Sequence, residues 1–248
     1  MSTNGRRIAI VGDAKHYVGP ELARMLAANG HDLVLGDPSA ELVAELEGSG
    51  ATVVAVDGAS RLHEPEASPS LVDAAITKFG RIDAAVMASG QIIGGRFVNS
   101  TVEQLDKLVA GCMHAPYFFL KAVVPVMVEQ GEGQILIITS ASGVKPVFGA
   151  PLYSATRAGA NMMVRAVAEE VARKNVQVNS VGTNFMDFPE FLEATGATDP
   201  AVREMVEQQV PLRRLGQMDE FASFCRVFLD GTSTFTTGQY VSYAGGWA

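Results

Sequence analysis

The chain has 248 residues, 48% of them hydrophobic and 19% charged; this is the balance of an ordinary globular domain and excludes bulk disorder. A net charge of −8 argues against a nucleic-acid partner, because phosphate contact needs a basic face. Two cysteines, Cys112 and Cys225, make neither a disulfide framework nor a thiolate metal site.

In chain order, short apolar runs alternate with helical patterns. Residues 7–11 read as a buried strand, and 20–29 as a helix stopped by Gly30. A strand over 32–36, a helix near 40–47 and a strand over 52–56 follow. Residues 70–79 read as a helix and 82–88 as a fourth strand. Thr101 and Gln104 have capping-box spacing; the helical stretch they open runs toward Gln130, expected as two helices broken near Ala115-Pro116. A fifth strand is expected over 135–138, a long helix over 152–174 behind Pro151, and a sixth strand over 176–181. A helix over 219–229 and a strand over 239–243 close the pattern.

Strands apolar on both faces and separated by helices imply a parallel sheet covered on each side. With no repeat or linker, 1–248 reads as a single α/β domain, a Rossmann-like doubly wound parallel sheet. Ligands of such sheets bind at the carboxyl ends of the strands. Ile8–Val11 is too short for a signal peptide. No apolar stretch reaches the ~18 residues of a membrane span, so the expectation is a cytoplasmic protein with no membrane partner. His16, His31, His63 and His114 show no ligand spacing, and no metal is expected.

Tyr153 and Arg157 lie four apart at the start of the long helix and share a face. Ser140 ends strand five, and the crossover brings it beside that helix start. A hydroxyl, a phenol and a guanidinium then converge on the crevice. The fold, the Ser140…Tyr153 spacing and the run Arg214-Leu215-Gly216…Gly238…Gly245-Gly246 resemble the short-chain dehydrogenase/reductase superfamily over essentially the whole chain. Typical members carry Lys four residues after the Tyr. Ser140, Tyr153 and Arg157 together are similar to the halohydrin dehalogenases, a branch that works without a nucleotide cofactor.

The turn after the first strand bears on that choice. A nucleotide loop needs small residues so that a pyrophosphate can reach backbone N–H groups. In Val11-Gly-Asp-Ala-Lys-His-Tyr-Val-Gly19, either His16 or Tyr17 stands at the second glycine of the superfamily pattern. Tyr17-Val18-Gly19 resembles the dehalogenase loop. Asp37, at the end of strand two where NAD-dependent members bind the adenosine ribose, then reads as a remnant.

The resemblance implies a halide or nucleophile pocket of Tyr17, Thr183, Asn184, Phe185 and Met186, and it implies no cofactor. Strand-end loops suggest Ile92, Phe97, Ser142 and Leu152 as substrate wall. The implied reaction is dehalogenation of a vicinal haloalcohol to an epoxide, releasing halide and a proton, and the reverse opening of an epoxide by a small anion. Tyr153 would be the base, Arg157 would favour its phenolate by proximity of opposite charge, and Ser140 would orient the substrate oxygen. Two other readings stay open: an NAD(P)-dependent short-chain oxidoreductase, and a non-catalytic relative. The resemblance also implies a homotetramer built through residues near 101–130 and 151–174. The single Trp, Trp247, is expected to dock against the fold.

Overall fold

The computed structural model describes residues 5–88, 90 and 92–248. Seven strands form one parallel sheet in the order β3-β2-β1-β4-β5-β6-β7. They are β1 (Arg7–Val11), β2 (His31–Gly36), β3 (Val53–Val56), β4 (Ala84–Ala88), β5 (Gly133–Ser140), β6 (Val176–Thr183) and β7 (Tyr240–Tyr243). The order reverses between β1 and β4, and the crevice opens at that switch point, outside the carboxyl ends.

The helices are α1 (Gly19–Ala28), α2 (Ala40–Gly48), α3 (Ala67–Phe79), α4 (Val102–Val109), α5 (Ala115–Gln130), α6 (Pro151–Val171), α7 (Pro189–Thr195), α8 (Pro200–Glu207) and α9 (Met218–Cys225). One core lies on the α1 and α9 side, where Leu22, Leu26, Phe221 and Phe228 pack on Val11, Leu35 and Val181. The other lies under α3, α5 and α6, where Leu71, Phe119, Val123 and Val164 pack on Ile10, Ile135 and Val178. Each strand therefore feeds side chains to both layers, which explains its continuous apolar run.

The expected capping box is present: Thr101 Oγ1 accepts from Gln104 N, and Gln104 Oε1 accepts from Thr101 N. The expected break near Ala115-Pro116 is corrected. A π-helical turn, Ala110–His114, carries α4 into α5 without interruption. The joined helix, Val102–Gln130, is long and apolar enough by length and composition to cross a membrane, which also corrects the expectation that no stretch is. Phe119, Val123 and Met127 on it are buried in the second core. Two helices, α7 and α8, stand where no element was expected.

Candidate functional site

The crevice is a cleft of about 1320 Å³. Ser140, Tyr153 and Arg157 all line it, with Tyr17, Thr183, Asn184, Phe185 and Met186. Sequence reasoning thus gathered eight residues from four segments onto one cavity. Of the expected substrate wall, Ile92 lines the cleft and Phe97, Ser142 and Leu152 do not. Phe97 sits on an exposed 3-10 turn. Ser142 is buried behind Ser140, and its hydroxyl donates to Ser140 Oγ across 2.9 Å. Leu152 packs against the cluster of Leu108, Cys112, Ala150 and Tyr153. Ser89 and Gln91, within the expected loop wall, lie outside the described residues.

Tyr153 and Arg157 project from the first two turns of α6, which Pro151 starts. Both are buried, and the guanidinium carbon of Arg157 lies 5.1 Å from the Tyr153 ring centroid. Burial works against the guanidinium's charge, but Tyr153, Cys112 and Tyr17 around it hold its pKa above the ordinary value. Gly90 makes room for the group: a Cβ there would stand 1.8 Å from Arg157 Nη2. Ser140 ends β5, and its Oγ donates to the Thr183 carbonyl at 3.2 Å.

Tyr17 reaches the same cleft from the turn between β1 and α1. Its φ is +52°, in the left-handed region that glycine prefers. Its hydroxyl donates to Thr183 Oγ1 at 2.8 Å, and its ring meets Phe188 edge-on at 4.8 Å. Burial pushes the phenol's pKa up, against the opposing hydrogen bond to Thr183.

The cleft also holds residues that no spacing revealed: Lys145, Phe188, Phe191, Val206 and Trp247. They come from separate loops and from α7 and α8. A signal for α8 was present: Asp199-Pro200 is an N-cap followed by Pro at the first helical position, and Asp199 Oδ1 does accept from Ala201 N and Val202 N.

The family model described as enoyl-(acyl carrier protein) reductase matches residues 13–248. The chain is 27% identical over 248 residues to 2,5-dichloro-2,5-cyclohexadiene-1,4-diol dehydrogenase LinX of Sphingobium indicum, covering 98% of this chain and 96% of that one. It is 26% identical over 244 residues to 3-oxoacyl-[acyl-carrier-protein] reductase FabG of Thermotoga maritima, covering 97% of each. The solved structure of gox2181 superposes with a TM-score of 0.87 at 25% identity, over 98% of this chain and 95% of that one. These findings overturn the halohydrin dehalogenase expectation, and with it the assignment to a lyase branch defined by working without a cofactor. The matched relatives are a dehydrogenase and a reductase, and the matched family is one of reductases. Arg157 and the crowded turn at His16-Tyr17 stand in a chain whose matches to oxidoreductases run over almost its whole length.

Those relatives imply a nicotinamide nucleotide, and in this structure the turn engages its own donors and acceptors, so a nucleotide entering here would have to displace those bonds. Asp13 Oδ1 already accepts from the N–H groups of Lys15 (2.9 Å) and His16 (3.1 Å), the kind of donors a pyrophosphate would need. The Asp37 carboxylate, which the sequence reads as a remnant of a ribose site, accepts from Gly58 N (2.6 Å), Ser60 N (2.9 Å) and Ser60 Oγ (2.5 Å). Those bonds hold its pKa below the ordinary carboxylate range despite the opposing effect of burial. The Tyr17 ring spans from the turn to β6. With its family model matched over residues 13–248, the chain belongs to the short-chain dehydrogenase/reductase superfamily.

Proposed function

We propose that the chain is a short-chain oxidoreductase that interconverts a secondary alcohol and the corresponding carbonyl compound. The observation that carries this reading is the convergence of Ser140, Tyr153 and Arg157 on one cleft, in a chain whose curated relatives are dehydrogenases and reductases.

The residues present handle the proton. In the reductive direction the Tyr153 hydroxyl would give its proton to the substrate oxygen, while a hydride delivered to the carbonyl carbon by a reduced nicotinamide nucleotide, the donor that the assay below supplies, completes the alcohol; in the oxidative direction the phenolate would take the proton back and the oxidised nucleotide would take the hydride. Arg157 holds a permanent positive charge beside the reacting phenol, its guanidinium carbon 5.1 Å from the Tyr153 ring centroid. Ser140 orients the substrate oxygen, exchanging its bond to the Thr183 carbonyl for one to the substrate. Tyr17, Thr183, Asn184, Phe185 and Met186 wall the substrate's side of the cleft. No hydride step is assigned to a residue.

The test supplies the purified chain with a methyl ketone and either NADH or NADPH, and follows nucleotide absorbance. Nucleotide consumption that falls by about 10²–10⁴ in Tyr153→Phe supports the reading. Absence of consumption with both nucleotides, or full activity in Tyr153→Phe, overturns it.

We propose further that the partner on the long-helix face is a second copy of this chain, in a homotetramer. Val102, Leu105, Tyr117 and Met162 are exposed apolar residues on α4, α5 and α6, helices that pack against one another, and apolar surface gathered on one face is a mark of association. Light scattering on the purified chain reads the mass directly; a monomer at micromolar concentration overturns it.

A further inference from the structure

We propose that Trp247 is the specificity-determining residue of the cleft, and that it holds a ring-sized apolar substituent on the carbon bearing the reacting oxygen. This inference rests on the alcohol–carbonyl reading of the site.

The segment after β7 is locked onto its neighbour. The chain reverses through Gly245 and Gly246, with φ of +59° and +86°. A Cβ at Gly245 would stand 2.6 Å from Val210 Cγ1, and one at Gly246 would stand 3.1 Å from Pro211 Cβ. The Gly245 carbonyl accepts from Leu212 N at 3.1 Å, and Trp247 N donates to the Ala244 carbonyl at 2.9 Å. Only a chain without side chains at both glycines can make this close reversal. The indole is therefore delivered to a fixed place.

Two contacts hold it over the cleft. Its ring meets Phe185 edge-on at 5.7 Å, and Phe185 in turn meets Phe191 at 6.3 Å. Lys145 Nζ lies 4.5 Å from the indole centroid and donates to the Trp247 carbonyl at 2.5 Å. An ammonium over an indole is attracted by the ring quadrupole. Lys145 belongs to the segment between Ser140 and Tyr153, so the clasp ties the aromatic wall to the same segment that positions the reacting groups. Trp247, Phe185 and Phe191 share the cleft with Tyr153. Three rings in edge-on contact offer a surface that gains from taking an apolar ring out of water, and offer little to a substrate with only methyl groups.

The chain has one Trp, so its emission reports on this position alone. The full chain, without nucleotide, is titrated with 1-cyclohexylethanol and with 2-propanol, by emission and by calorimetry. A saturable emission change is expected with 1-cyclohexylethanol, at a concentration about tenfold or more below that needed with 2-propanol. In Trp247→Ala the calorimetric preference for the cyclohexyl compound falls about tenfold, and Trp247→Phe keeps part of it. Lys145→Met weakens the preference without abolishing binding. Calorimetric binding with no emission change, an unaltered preference in Trp247→Ala, or no binding of either alcohol overturns the inference. The two readings fail differently. If the oxidoreductase reading alone is wrong, nucleotide-linked turnover is absent while the emission titration still saturates. If the Trp247 inference alone is wrong, turnover is present and its selectivity is the same in wild type and Trp247→Ala.

Discussion

The hydroxyl of Tyr17 donates to Thr183 Oγ1 across 2.8 Å, and so ties the turn after β1 to the end of β6 over the cleft. The tie joins two segments, the turn after β1 and the end of β6, that both line the cleft. It also places a left-handed non-glycine residue, φ +52°, at the centre of the site, where such strain concentrates.

Tyr17→Phe keeps the edge-on contact with Phe188 and loses the bond to Thr183. Urea unfolding should show a loss of about 1 kcal/mol. Tyr17→Gly suits the backbone but removes a packed ring; a loss of about 3–5 kcal/mol is expected. The same variant opens the path from the turn to β6, so NADH or NADPH should bind more tightly to it than to the wild type by calorimetry. Equal or weaker binding would show that the ring is not the obstacle.

Gly90→Ala puts a methyl group where Arg157 Nη2 now sits, 1.8 Å away, at a φ of +118°. The backbone strain alone costs about 1–3 kcal/mol. Because the guanidinium must also move from Tyr153, activity and stability should fall together. A variant that loses stability and keeps full turnover would separate Arg157's position from its role.

His31 is buried, and its ring Nδ1 lies 3.0 Å from the Leu26 carbonyl. Burial holds its pKa below the ordinary value, against that hydrogen bond. The folded chain therefore keeps His31 neutral where the unfolded chain takes up a proton, which begins at about pH 6.5. Stability contributed by the neutral ring is complete above that pH and falls as pH drops toward the lowered folded value. Melting temperature should decline on acidification from pH 7 to 5, and decline less in His31→Asn. Parallel slopes in the two proteins would assign the acid sensitivity elsewhere.

Asp187 anchors the loop between β6 and α7. Its Oδ2 accepts from Arg203 Nη2 at 2.5 Å and from Gln217 Nε2 at 3.2 Å. These partners hold its pKa below the ordinary range although burial opposes them. Asp187→Asn should cost under about 1 kcal/mol, since the pair is partly solvated. It should raise KM severalfold with little change in kcat, because the loop positions substrate and not the reacting groups. A fall in kcat at constant KM would contradict that assignment.

The sheet was legible because each strand is a short apolar run bounded by turn residues. The long helix α6 was legible from Pro151 and its length. Ser140, Tyr153 and Arg157 were legible because a crossover of fixed length converts spacing into proximity. What stayed hidden depends on contacts between distant segments. Nothing near Tyr17 in sequence points to its bond with Thr183, 166 residues on. Nothing near Lys145 points to Trp247. The dehalogenase reading failed for a related reason: it weighed residue 157 and one turn, whereas the full-length matches weigh every position along the chain.

The π-helical turn at Ala110–His114 sets the rotational phase of one continuous rod. Upstream of it α4 packs against α6 and brings Lys107 to the cleft, which Ala110 and Gly111 of the turn also line; downstream α5 turns Phe119 and Met127 into the core. An extra residue in a single turn decouples those two facings. Deleting one of Cys112, Met113 and His114, none of which lines the cleft, would dial the cleft wall around its axis and leave the core half seated, so this part of the turn offers a place to reshape the pocket without removing a residue that lines it.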